Sequence, residues 1–232
     1  MKIFAHINWF FATIIIFIVI ALSIILFPIL SRPYPRKFSS WFLRKLIMFS
    51  TTIKGKEDKT TQMFLINHQS DLDIGIMETS TKKDLAWVAK KALFDIPFFG
   101  LAMSLPEDIG IERESKTSLV KLLKASKDRL EKNRTITMFP EGTRSKTGRM
   151  LPFKSGAKFV ADSYKLKVQP VVLVNTRSCY NLKNLYYSPK NITVIFMDSF
   201  IADKNDKKWL SDLRLKMQKV YDDELANDTS NR

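Results

Sequence analysis

Cysteine and histidine are scarce in this chain: its 232 residues include one cysteine, Cys179, and two histidines, His6 and His68. A single thiol excludes an internal disulfide, and Cys179 reads most simply as a small buried hydrophobe. So few soft ligands argue against a metal centre, and neither a metal nor another cofactor is expected. No internal repeat or low-complexity segment stands out, and nothing resembles an RNA-recognition or zinc-finger module. Acidic residues are also in deficit, 23 against 38 basic ones, and the resulting net charge of +15 calls for an acidic partner. Nucleic acid, an anionic membrane surface and an anionic substrate all qualify on charge alone.

The N-terminus chooses among them in favour of the membrane. From Trp9 to Leu30 the chain is apolar except at Thr13, Ser23 and Pro28, long enough to span a bilayer core. The run is long for a signal-peptide core, and no small-x-small site follows it. Arg32, Arg36, Lys37, Arg44 and Lys45 come after it against Lys2 before it, so the positive-inside bias puts the remainder on the cytoplasmic face of the cell membrane. Phe38, Trp41, Phe42, Leu46 and Phe49 recur at helical spacing over 36–49. A core helix shows the same stripe, but the interleaved cations favour a helix lying among headgroups. Residues 1–50 are therefore read as a membrane-anchoring helical arm and 51–232 as one catalytic domain.

Beyond residue 51 short apolar runs alternate with helical stretches, the signature of an α/β domain with a central mixed sheet flanked by helices. Strands are expected near 51–54, 62–67, 85–89, 108–111, 135–139, 168–174 and 192–197. Helices are expected near 71–81, 91–104, 115–132, 155–164 and 206–226. In the 115–132 helix Leu119, Leu122, Leu123 and Leu130 share a face that packs on the sheet. Asp203 to Lys208 reads as a charged connection to the last helix.

Met63 to Asp73 runs an apolar strand into a polar turn holding His68. Because His6 adjoins the apolar run, an imidazole base near neutral pH would have to be His68. Asp73 admits two readings. With Ser70 it can close a capping box, or it can accept a hydrogen bond from one imidazole nitrogen and fix the tautomer. The pair cannot share a face of one regular helix, since five residues turn the chain by about 140°. They meet only if His68 stands in the turn and Asp73 in the first helical turn, and Asp71 competes for the same role.

Asn67-His68-Gln69-Ser70-Asp71-Leu72-Asp73 resembles the His-x4-Asp motif of the 1-acylglycerol-3-phosphate acyltransferase family, and Phe139-Pro140-Glu141-Gly142-Thr143-Arg144-Ser145 resembles its second signature. Gly110 to Glu114 and Val168 to Val172 resemble two further blocks, in the family's order. The likeness covers residues 52 to 200 well and the last thirty weakly. It implies transfer of a fatty acyl group from acyl-CoA or acyl-acyl carrier protein to the sn-2 hydroxyl of 1-acylglycerol 3-phosphate, with His68 and Asp73 catalytic. Glycerol 3-phosphate or another lysolipid is an alternative acceptor, a thioesterase a less favoured activity, and a non-enzymatic anionic-lipid binder the reading from a different class. No nucleic-acid partner is implied.

The phosphate end combines chemistry with resemblance. Gly142 permits close backbone approach, Thr143 has a hydroxyl to donate, and Arg144 carries a planar fork suited to phosphate. A loop arginine alone is more simply a solvated one; the resemblance assigns these three to phosphate recognition. It likewise implies that Arg113 helps bind the glycerol phosphate and that Lys90 or Lys91 does so from a Lys-x-x-Leu-x-x-x-Pro-x-x-Gly segment. Glu141 is expected to support the loop, since a carboxylate aimed at phosphate would repel it. Phe94 to Leu105 either lines an acyl groove or fills the core.

Overall fold

The computed structural model describes residues 2–47, 49–112, 116–181 and 184–228. Two helices, α1 (Lys2–Leu26) and α2 (Tyr34–Leu46), precede β1 (Ser50–Gly55), β2 (Met63–Ile66), α3 (Leu72–Ser80) and β3 (Leu85–Lys90). A short 3-10 turn at Lys91–Leu93 leads to α4 (Leu101–Ser104), β4 (Ile109–Ile111), α5 (Lys116–Glu131), β5 (Thr135–Met138), α6 (Ser155–Ser163) and β6 (Lys167–Val174). The rest is α7 (Thr176–Cys179), β7 (Tyr180–Asn181), β8 (Tyr186–Tyr187), β9 (Asn191–Phe196), β10 (Phe200–Ile201) and α8 (Trp209–Asn227).

The main sheet has the order β1-β9-β6-β2-β5-β3-β4, with β10 paired to β6. β9 and β10 run antiparallel to β6 and the other pairs are parallel, so the sheet is mixed, as expected. Period-two alternation in β2 and β6 splits their side chains between two cores. Met63, Leu65, Val168, Val172 and Val174 pack with α5, α6 and α8. Phe64, Ile66, Val171 and Leu173 pack on the opposite face with α3 and the N-terminal helices. Burying each such side chain stabilises the fold by about 1.5–3 kcal/mol.

Because β2, β3, β4 and β5 are parallel neighbours, the turns that follow them emerge at one end of the sheet. Ligands of open α/β sheets gather at that end.

The expected helix over 91–104 is broken. Pro97 has no N–H to continue one, Phe98 adopts a left-handed φ of 61°, and a Cβ at Gly100 would lie 2.0 Å from the Phe94 carbonyl oxygen. The segment folds as two short turns, and its apolar residues do not fill the core: Phe98 is 82% exposed, and Ile96, Leu101 and Leu105 are also exposed, whereas Met103 is buried. The β7–β8 hairpin and β10 were not expected from sequence, each being only two residues per strand.

In α2 the aromatic stripe divides, with Phe42 packed against the core on the α3 face of the sheet. Phe38, Trp41 and Leu46 are exposed, while Ser39, Ser40 and Leu43 face the domain. Small serines let α2 approach α3 closely, with Ser40 and Leu43 lying beside Gly75. Phe49 falls beyond the helix and is buried. In α1 the segment Asn8–Leu26 is long and apolar enough to cross a membrane by length and composition. Its Ala12 and Val19 are buried against the domain, Ser23 is buried, and Phe10, Phe11, Phe17, Ile18 and Ile25 are exposed.

Candidate active site

The strand β2 hands over to the turn through Asn67, whose amide imitates a peptide group. Its Oδ1 accepts from the Leu173 N–H (2.7 Å) and its Nδ2 donates to the Leu173 carbonyl (2.9 Å), tying the turn to β6. The backbone of the next residue, His68, is held on both sides. Its N–H donates to Glu141 Oε1 (2.8 Å), and its carbonyl accepts from the Ser145 N–H (2.9 Å).

The imidazole has equally defined surroundings. Nδ1 lies 2.8 Å from Asp73 Oδ2, and the ring stacks on Phe139 with centroids 3.8 Å apart and planes 10° apart. Asp73 is fully buried, and its Oδ2 also accepts from the N–H groups of Gln69 (2.7 Å) and Ser70 (2.9 Å). The capping box is only half made, because Ser70 Oγ receives the Leu72 N–H (3.3 Å) and not that of Asp73; the same Asp73 oxygen that orders the turn lies at the imidazole. No described residue bonds Nε2, and the side chain retains 17% exposure, so Nε2 is the nitrogen open to a reactant.

Asp71, the competing carboxylate, goes elsewhere. It pairs with Arg144 across the turn, and burial pushes its carboxyl above the ordinary range, with the Arg144 charge opposing. Glu141 is buried and accepts from two backbone N–H groups, those of His68 and Leu151 (2.7 Å). Burial raises its carboxyl and these two bonds lower it, with a net upward shift. It clamps the His68 turn to the loop carrying Arg144.

Gly142 adopts a left-handed φ of 70°, where a side chain would be strained, and its N–H donates to the Phe139 carbonyl (2.9 Å). That tight turn projects Thr143 and Arg144 into solvent, and the arginine side chain is 44% exposed. Lys90 closes β3 and Lys91 opens the 3-10 turn; both are exposed, and Lys91 Nζ lies 3.7 Å from Asp95 Oδ1. Arg113 lies outside the described residues. In sheet order the base sits after β2, the Arg144 loop after β5 and Lys90 after β3. At a strand spacing of about 4.8 Å the lysine is two strands, roughly 10 Å, from the base.

Three contributors had no assigned role in the sequence. Phe139 stood inside a quoted motif, Trp87 stacks behind it (5.2 Å), and Tyr221 of α8 donates to Gln69 Oε1 (3.2 Å). Only Phe139 carried a sequence signal, its place in the motif. Cys179 is buried, as expected, and burial pushes its thiol up to about 11.

Both the sequence and the fold have known counterparts. The family model described as Acyltransferase matches residues 50–174. The 1-acyl-sn-glycerol-3-phosphate acyltransferase of Helicobacter pylori is 40% identical over 168 residues, covering 72% of this chain and 71% of that protein. The coconut enzyme of the same name is 31% identical over 176 residues, 75% of this chain and 57% of its own length. The crystal structure of the 1-acyl-sn-glycerophosphate acyltransferase from Thermotoga maritima superposes with a TM-score of 0.74 at 18% identity, over 97% of this chain and 96% of that one, and shares the fold. The chain belongs to the 1-acylglycerol-3-phosphate acyltransferase family.

Proposed function

We propose that the chain transfers a fatty acyl group from a thioester, acyl-CoA or acyl-acyl carrier protein, to the sn-2 hydroxyl of 1-acylglycerol 3-phosphate, giving phosphatidic acid. The observation that carries this reading is the 2.8 Å contact of His68 Nδ1 with buried Asp73, in a turn clamped by Glu141. The names of the relatives support the acceptor. With its proton on Nδ1 directed at Asp73, neutral His68 takes the acceptor hydroxyl proton at Nε2 as oxygen attacks the thioester carbonyl. Asp73 stabilises the imidazolium that forms. Collapse of the tetrahedral adduct keeps the new C–O bond, breaks C–S and returns the proton to the departing thiolate. No acyl-enzyme is needed, and a buried Cys179 with its raised thiol is a poor nucleophile.

In this reading Gly142, Thr143 and Arg144 receive the acceptor phosphate, with Lys90 or Lys91 and Arg113 adding positive charge. Residues 1–50 form the membrane arm, and 51–232 the catalytic domain on the cytoplasmic face. Helix α1 packs into the domain's core from Trp9 to Val19, about 15 Å of helix, and Thr13 Oγ1 lies 2.9 Å from the Tyr180 hydroxyl. A helix bound along its length lies beside the domain, so α1 dips its exposed face into the bilayer and does not cross it.

The test offers purified protein in anionic vesicles each thioester with 1-acylglycerol 3-phosphate or glycerol 3-phosphate, and weighs the lipid product. Phosphatidic acid formed from the lysolipid is expected. Thioester consumed without a lipid product, or vesicle binding without turnover, contradicts the reading.

A further inference from the structure

A hydrogen bond at Nδ1 fixes one point of the imidazole but leaves its plane free to tilt about that contact. A second constraint is needed if Nε2 is to meet a hydroxyl proton in line. The Phe139 face supplies it, nearly parallel at 3.8 Å. Phe139 in turn rests on Trp87, which is buried, with planes 30° apart.

Trp87 is fixed from the far side by two buried carboxylates. Its indole Nε1 donates to Glu78 Oε1 (2.8 Å), and its backbone N–H donates to Asp108 Oδ1 (3.1 Å). Both carboxylates are held by one residue of the arm: Arg36 of α2 donates to Glu78 Oε1 (3.2 Å) and to Asp108 Oδ2 (2.6 Å). The side chains of Glu78 and Asp108 are 2% and 4% exposed, so the guanidinium neutralises charges that water does not reach. The neighbouring Lys37 Nζ donates to the carbonyls of Glu78 (3.0 Å) and Thr81 (2.7 Å), seating α2 on the C-terminal end of α3. A continuous series of contacts thus runs from α2 to the imidazole.

We propose that Phe139 is a positioning residue for His68 and that Arg36 sets Phe139 through Glu78 and Trp87, so that turnover requires α2 to be seated on the domain. This rests on His68 as the base. A bilayer that holds α2 in place then also holds the base in register, which ties reaction to the surface where the acceptor resides.

The experiment measures kcat and acceptor KM for full-length Phe139→Leu, Phe139→Tyr, Trp87→Phe and Arg36→Lys, with His68→Ala as control and melting curves for each. Phe139→Leu keeps apolar volume and loses the flat face; kcat falls about 10- to 100-fold with acceptor KM within about twofold, and Phe139→Tyr restores it. Arg36→Lys and Trp87→Phe lower kcat by about three- to tenfold alone and have no further effect when combined with Phe139→Leu, as expected of residues acting in series. Should Arg36→Lys fail to fold, Glu78→Gln, which keeps an acceptor for the Trp87 indole and loses the charge that Arg36 pairs with, tests the link to α2 by the same kcat criterion. Effects that multiply in full with Phe139→Leu, or a Phe139→Leu enzyme with normal kcat beside an inactive His68→Ala, overturn the proposal and leave the base assignment standing. A His68→Ala enzyme that keeps its turnover overturns both.

Discussion

His68 and Arg144 follow adjacent strands at the same end of the sheet, yet the structure treats them in opposite ways. The imidazole is bonded at Nδ1, stacked on Phe139, and clamped through both backbone groups. Arg144 stands on a solvent-facing loop and is held by Asp71 alone among the described residues. Under the proposed function, the difference matches what each end would do. A base contributes only if its nitrogen is aimed correctly in the transition state, so its surroundings must permit one orientation. A phosphate clamp acts through charge and must stay open to a lipid headgroup, so exposure serves it.

The comparison breaks most readily at the base. His68→Ala is expected to lower kcat by about 10²–10⁴ with little change in acceptor KM, because proton transfer belongs to the transition state. Asp73→Asn should fall toward the same range. A residue that only capped α3 would instead lower the melting temperature and leave kcat intact in whatever stays folded.

At the cationic end Arg144→Ala removes charge-assisted hydrogen bonds worth about 1.5–3 kcal/mol. Acceptor KM should rise by roughly one to two decades, with a smaller fall in kcat. Steady-state kinetics over a range of acceptor concentration separates the two. Asp71→Asn sharpens the contrast further. Its carboxylate serves Arg144 and not His68, so the change should appear in acceptor KM by a few-fold and spare kcat, unlike the same substitution at Asp73. The smallest effect belongs to Cys179→Ala, which should keep kcat near the parent value. In the folded parent at pH 8, a thiol that titrates near 11 should react slowly with an alkylating reagent and rapidly once unfolded. Mass spectrometry after timed alkylation reads this directly.

The same contrast governs what was legible in the sequence. His68, Asp73, Glu141 and Arg144 stood in ordered motifs, each at the end of a short apolar run that reads as a strand, whereas the strand order that brings those ends together was not legible. Spacing alone left Asp71 as a rival to Asp73, and the His-x4-Asp resemblance chose between them; both lie within one turn of the helix start, and the angle between β2 and α3 decides which reaches the imidazole. That angle comes from tertiary packing. Trp87 and Tyr221 were silent for a related reason: Trp87 touches Phe139 across 52 residues of chain, and Tyr221 reaches Gln69 across 152. No local periodicity encodes such partners. The 91–104 segment misled because its composition is helical while Pro97 and the left-handed Phe98 are not. In α2 the aromatic stripe was legible and its interleaved cations favoured an outward direction, but spacing shared with a core helix could not show that Phe42 and Phe49 turn inward.

The central claim is that chemistry and phosphate recognition are separate and additive at this edge. The most direct test is a double-variant cycle on kcat/KM with His68→Ala, Arg144→Ala and the two combined, using 1-acylglycerol 3-phosphate and one acyl thioester. Even without the base the acceptor must still be held, so the two losses should multiply to within about threefold. A double variant no slower than His68→Ala alone would show that the two ends act as one unit and contradict the account.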